Sequence, residues 1–86
     1  MKNVKLFYLK QCPFCKKAIR YIEELKAQYT ELACVDIEMI EESEQKELAD
    51  SFDYYYVPTF YVADEKVHEG GIYPEEVEEI LRKALE

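Results

Sequence analysis

Two cysteines three positions apart, in the stretch Lys10-Gln11-Cys12-Pro13-Phe14-Cys15-Lys16-Lys17, are the residues whose types and spacing can do chemistry. A Cys-x-x-C pair has three uses: a structural clasp, half of a metal site, or a nucleophilic thiol with a resolving partner. A clasp belongs to a disulfide-rich secreted scaffold, and 3 cysteines in 86 residues are too few and odd in number for one. A closed metal site needs four ligands. Cys12, Cys15, Cys34 and His68 share no spacing that would bring them together, so no metal is expected. The third use depends on which element carries the pair.

Val4-Lys5-Leu6-Phe7-Tyr8-Leu9 is a nearly continuous apolar run, as in a strand buried on both faces. From Pro13 the period changes to three and four: Phe14, Ala18, Ile22, Leu25 and Tyr29 mark the apolar face of a helix. Pro13 suits the first helical position, where a missing N–H costs nothing. Cys12 then falls at the N-cap, facing the unpaired N–H groups of the first turn. Those groups, with Lys10, Lys16, Lys17 and Arg20, should favour thiolate over thiol, and Lys16 and Lys17 are expected to tune that ionisation. A sulfur that ionises readily also leaves readily when a second thiol attacks it. Cys15, one turn on and less exposed, is placed to be that second thiol.

Leu32-Ala33-Cys34-Val35-Asp36-Ile37 reads as a second strand, with Cys34 buried in it and inert. Strand, helix and strand make a parallel crossover unit. The charged stretch 38–52 is expected to be a helix with Ile40, Leu48 and Phe52 buried. Thr59 to Ala63 forms a strand, Asp64-Glu65 a tight turn and Lys66 to Glu69 a return strand, on which His68 is solvated. Gly70-Gly71 ends the hairpin. Pro74 opens a last helix whose apolar stripe is Val77, Ile80, Leu81, Ala84 and Leu85. Val57-Pro58, entering the third strand, reads either as an ordinary loop proline ending the Tyr54-Tyr55-Tyr56 segment or as a tight bend with a cis peptide bond beside the cysteines. The order is β-α-β-α-β-β-α, and residues 1–86 are expected to form a single domain.

Charge narrows the partners. The first 22 residues hold six bases and no acid, whereas residues 23–86 hold five bases and all 19 acids. So small a basic footprint on a chain of net charge −8 is a poor match for a nucleic-acid backbone, and no nucleic-acid partner is expected. No apolar run approaches a membrane span, and the first residues lack the form of a secretory signal. A cytoplasmic, monomeric protein without a membrane partner is the expectation.

The Cys-Pro-Phe-Cys motif after strand one, the order of elements and Val57-Pro58 before strand three together resemble the glutaredoxins of the thioredoxin superfamily, over nearly the whole chain. The resemblance implies a thioredoxin-like α/β fold: a four-stranded mixed sheet in the order 2-1-3-4, flanked by three helices. It implies an enzyme, a dithiol-disulfide oxidoreductase reducing protein or small-molecule disulfides, with Cys12 as nucleophile and Cys15 as resolving thiol. It places substrate binding at Lys10, Pro13, Phe14, Val57, a cis Pro58, Gly70 and Gly71. No tightly bound cofactor is implied; the reductant would be glutathione or a flavoprotein of the thioredoxin-reductase type. Some relatives instead bridge an iron-sulfur cluster, which makes a cluster or metal carrier using Cys12 the alternative.

This chain departs from the family in two places. Glutaredoxins usually carry a base three residues before the first cysteine, to meet a glutathione carboxylate. Leu9 stands there and the lysine follows as Lys10. They also follow the glycine pair with a Ser-Asp or Asp-Asp helix start that grips the γ-glutamyl end, where this chain has Ile72-Tyr73-Pro74-Glu75. Thioredoxin proper is a poorer match: there is no tryptophan before Cys12, and Leu6 stands where thioredoxins bury an acid.

Overall fold

A computed structural model describes residues 1–86. The elements are β1 (Val4–Tyr8), α1 (Pro13–Gln28), α2 (Thr30–Ala33), β2 (Ile37–Glu41), α3 (Lys46–Asp50), β3 (Thr59–Val62), β4 (Glu65–Glu69) and α4 (Pro74–Ala84). The sheet runs β2-β1-β3-β4. β1 pairs parallel with β2, placing Val4 beside Ile37 and Tyr8 beside Glu41. It pairs antiparallel with β3, which in turn pairs antiparallel with β4.

Position in the sheet explains composition. The central strands are apolar on both sides, and Leu6, Phe7 and Phe60 are fully buried. Leu6 and Phe60, with Val4 and Val62, join α1 and α4 in a 14-residue core. Phe7, Ile40, Tyr61 and Ala49 form a smaller core on the other face, closed by Leu48, Phe52 and Tyr54. Each large apolar side chain so buried stabilises the fold by about 1.5–3 kcal/mol. The edge strands are covered less: three of the five residues of β2 and all five of β4 stay at least partly exposed, and their charged residues follow from that.

The chain between α1 and β3 differs from the sequence expectation. Residues 30–33 make a single helical turn, and β2 begins only at Ile37. Leu32 and Val35 are both fully buried, and their spacing of three suits a turn dropping into the core. The flanking helices therefore number four, not three. Cys34 lies at the C-cap of α2, exposed, with its thiol donating to the Glu31 carbonyl at 3.1 Å. It is not a buried strand residue, because a strand never forms there. Met39 and Ile40, expected in a helix, belong to β2, and that helix contracts to α3.

Smaller differences have local causes. On α1 the buried face is Cys15, Ala18, Ile22 and Leu25, while Phe14 is 56% exposed. Cys15 thus occupies the core position assigned to Phe14. Leu85 lies past the end of α4 and is exposed. The hairpin turn is Ala63-Asp64, both residues at positive φ (51° and 64°), one position earlier than expected. Two such residues give the mirror-image turn whose twist matches the flanking strands. No helix is long and apolar enough to cross a membrane.

Candidate active site

β1 delivers the chain to the sheet's end and α1 begins five residues later, so the intervening loop sets where Cys12 stands. The loop closes tightly: the Cys12 N–H donates to the Leu9 carbonyl at 3.1 Å, and the Lys10 N–H to the Glu41 carboxylate at 2.9 Å. Cys12 is the N-cap of α1 in extended conformation, with Pro13 directly after it. Its sulfur accepts from the Cys15 N–H at 3.4 Å, and its carbonyl accepts from the Lys16 N–H at 3.0 Å. A donor aimed at a sulfur from a helix's first turn favours negative charge on it.

The two thiols are unequal. Cys12 is half-buried and reachable, whereas Cys15 is fully buried. Burial pushes the Cys15 thiol up to about 12; the Cys12 sulfur adds to the rise and a Leu9 main-chain hydrogen bond offsets part of it. Cys15 therefore stays protonated at neutral pH.

Across from the sulfur, the Val57–Pro58 peptide bond is cis and the Val57 carbonyl lies 4.0 Å from Cys12 Sγ. Phe14 projects from the first turn of α1 against Gly71, where a Cβ would come within 3.4 Å of the ring. Lys17 Nζ stands 5.9 Å from the centre of that ring. Phe14, Lys17, Tyr21, Gly71, Ile72 and Tyr73 enclose an open cavity of about 320 Å³. Gly70, at φ 93°, takes a conformation that side-chain-bearing residues rarely adopt, and its N–H donates to the Pro58 carbonyl at 2.8 Å. Pro13 and Phe14 thus follow Cys12, Val57 and Pro58 lie across from it, and Gly70 and Gly71 adjoin Pro58 and Phe14 in turn.

The lysines are placed less uniformly than expected. Lys16 and Lys17 are exposed and enter no ion pair. Lys10 turns its ammonium to Glu44 at 2.5 Å, which raises its pKa. Its main chain, held by Glu41, is what bears on the Cys12 loop. His68 is half-buried rather than solvated; its Nε2 lies 2.8 Å from the Gly71 carbonyl and its Nδ1 3.6 Å from Glu76. No three His, Cys, Asp or Glu side chains gather closely enough to hold a metal ion.

Three carboxylates at the site escaped sequence reasoning. Glu41, buried at the end of β2, accepts from the Lys10 N–H, the Ser43 N–H (2.7 Å) and the Ser43 hydroxyl (2.6 Å). The Ser43 hydroxyl first, then the Lys10 amide, hold its carboxyl down at about 2. Glu69, at the end of β4, accepts from the Tyr55 and Tyr56 N–H groups and pairs with Lys66. Glu76 accepts the Tyr73 N–H at 3.0 Å and so caps α4 where a Ser or Asp was missed. Glu41 and Glu69 hold main-chain N–H groups far away in sequence besides Ser43 and Lys66 close by, and Glu76 holds a main-chain N–H three residues back. The one sequence signal is an acid at the last position of a strand that feeds the site.

A family model described as Glutaredoxin matches residues 4–67, well over half of the chain. The chain belongs to the glutaredoxin family. Solved structures place this glutaredoxin in the wider thioredoxin fold. Schistosoma mansoni thioredoxin superposes with a TM-score of 0.71 at 24% identity, over 95% of this chain and 75% of that one. A single-residue mutant of Halobacterium salinarum thioredoxin gives 0.71 at 21% identity, over 99% and 75%. Oxidised thioredoxin from Plasmodium falciparum gives 0.68 at 22%, over 95% and 79%. At these identities the likeness is one of fold. A search of the curated proteins finds no match for the sequence. The expected sheet order, the cis Pro58 and the placing of Cys12 at the head of α1 all agree with this glutaredoxin's architecture.

Proposed function

We propose that this glutaredoxin is a dithiol-disulfide oxidoreductase acting on disulfide-containing proteins. The observation that carries the reading is the inequality of the two thiols: a reachable sulfur under a helix's first-turn N–H, backed by a buried thiol kept protonated. In the forward direction the Cys12 thiolate attacks one sulfur of the substrate disulfide. A Cys12–substrate S–S bond forms, the substrate bond breaks, and the released thiolate takes up a proton. Cys15 then gives up its proton and attacks Cys12. The Cys12–Cys15 disulfide forms and the second substrate thiol departs, protonated. The substrate has gained two electrons and two protons; this glutaredoxin has lost the two electrons and the Cys15 proton, and solvent has supplied the other proton.

An external dithiol or a pair of monothiols must restore the reduced form. Relatives hold the γ-glutamyl end of glutathione at the start of the last helix. Here the Tyr73 N–H is already given to Glu76, and Pro74 has no N–H to offer. The carboxylate a peptide thiol would bring meets the chain's own carboxylate. This favours a flavoprotein reductase of the thioredoxin-reductase type over glutathione as electron source.

The experiment is trapping. Cys15→Ser should accumulate a covalent mixed disulfide with a protein substrate such as insulin, released by dithiothreitol. Cys12→Ser should accumulate none. Protein purified without oxygen that carries iron, absorbs visible light and traps nothing would replace this reading with the cluster-carrier one.

A further inference from the structure

The segment from Asp53 to Pro58 belongs to no helix or strand, so its backbone must be held by other means. Apolar burial does not supply them at its centre, since Tyr55 is 86% and Tyr56 70% exposed. A carboxylate does. Glu69 Oε2 accepts from the Tyr55 N–H at 2.5 Å and from the Tyr56 N–H at 2.9 Å. Lys66 holds the other oxygen at 2.8 Å, which stops the carboxylate from turning away. Hydrogen bonds to a charged acceptor are about twice as strong as neutral ones. The residue that follows these two is Val57. Its N–H and carbonyl enter no backbone hydrogen bond within the fold, and the carbonyl lies 4.0 Å from the Cys12 sulfur.

We propose that Glu69 is a positioning residue for disulfide exchange: by fixing the main chain at Tyr55 and Tyr56, it presents the free backbone edge of Val57 and the Cys12 sulfur to the same incoming extended segment. The proposal rests on the oxidoreductase reading and adds a statement about specificity. Because the N–H groups of Tyr55 and Tyr56 are already taken, a partner finds its main-chain donor beside the sulfur at Val57 rather than at these two residues. Selection beyond that point falls to the exposed tyrosine rings.

The test compares wild type, Glu69→Ala and Glu69→Gln in the reduction of insulin with dithiothreitol as electron source. Glu69→Ala should raise KM about tenfold, with kcat within about twofold of wild type. Glu69→Gln, whose amide oxygen accepts the same N–H groups without a charge, should fall between the two. Alkylation of Cys12 by iodoacetamide, which needs no docking, should proceed at the wild-type rate in all three. Amide hydrogen exchange should show protection at Tyr55 and Tyr56 lost in Glu69→Ala while β3 keeps its protection. The proposal is overturned if KM stays at its wild-type value once that protection is gone. It is equally overturned if the two amides stay protected without the carboxylate, or if kcat and the alkylation rate fall together. A wild-type protein that reduces no insulin and forms no mixed disulfide would sink the oxidoreductase reading itself, a result distinct from all of these.

Discussion

Both edge strands end in a glutamate that reaches over the sheet's end to hold a loop beside Cys12, and the two are built differently. Glu41 closes β2 and holds the Lys10 N–H, on the loop that carries Cys12. Glu69 closes β4 and holds the Tyr55 and Tyr56 N–H groups, on the loop that faces Cys12. Glu41 is buried, and its principal partners are a neutral hydroxyl and amides. Glu69 has Lys66 as its leading partner and sits among exposed tyrosines. One device thus serves two loops: the one that carries Cys12 is held by a buried carboxylate, and the one that faces it by a carboxylate at the surface.

The difference predicts its largest effect at Glu41. Glu41→Ala leaves the Lys10 N–H, the Ser43 N–H and the Ser43 hydroxyl without their shared acceptor. Losing three hydrogen bonds to one charged acceptor is costly, and the melting midpoint should drop by roughly 10–15 °C. Glu69→Ala should cost much less in midpoint while moving KM, since water can reach Tyr55 and Tyr56. Equal midpoint losses in circular-dichroism melts of the two variants would erase the distinction between a buried and a surface tether.

A second, smaller effect sharpens the β4 side. Gly70 follows Glu69 directly and bonds Pro58 from a backbone at φ 93°. An alanine there must hold a left-handed conformation, so Gly70→Ala should cost about 1 kcal/mol, roughly 4–8 °C in midpoint. Gly71→Ala should cost less: its φ is ordinary, and its Cβ would meet only the edge of the Phe14 ring at 3.4 Å. The reverse ranking would mean that close approach, not backbone conformation, sets the need for this glycine pair.

The same contrast marks how far the amino-acid order can be read. Elements with strong apolar content are plain in it: β1 follows from a continuous apolar run, the β3–β4 hairpin from an apolar and aromatic run with its turn, and the body of α1 and α4 from periods near 3.6. Residues 30–45 are not, because β2 is an edge strand and Glu38 and Met39 face outward, so no apolar run announces it. Leu32 and Val35 look like that strand only when their spacing of three is ignored. Cys12 and Cys15 were legible as a pair because their spacing carries the chemistry. Lys10 was legible as a residue but not as a role, since its amide rather than its ammonium is tied to the site. Glu41 and Glu69 were invisible: the loops they hold lie 31 and 13–14 residues away, and no local pattern records that pairing.

The smallest effect concerns Lys66, which distinguishes the two glutamates most cleanly. The Lys66 ammonium first, and the Tyr55 and Tyr56 amides after it, hold the Glu69 carboxyl down at about 2, against about 4.3 for a free glutamate. A carboxyl depressed in the folded state adds stability that is complete above the free value and is lost as pH falls toward the folded one. Glu41 and Glu69 should therefore both make the fold less stable between about pH 4.3 and 2, with Glu31, lowered by its own main chain and by Arg82, adding to the slope. Lys66→Ala removes the leading cause at Glu69 and none at Glu41, so the folded value of Glu69 climbs and its share of that slope shrinks. At neutral pH the two N–H bonds persist, and the midpoint should move by no more than about 2 °C, with KM rising less than about threefold. Melts taken from pH 5 to pH 2 should show a shallower fall in the variant. An unchanged slope would mean that the amides alone hold Glu69, and that the surface tether works as the buried one does.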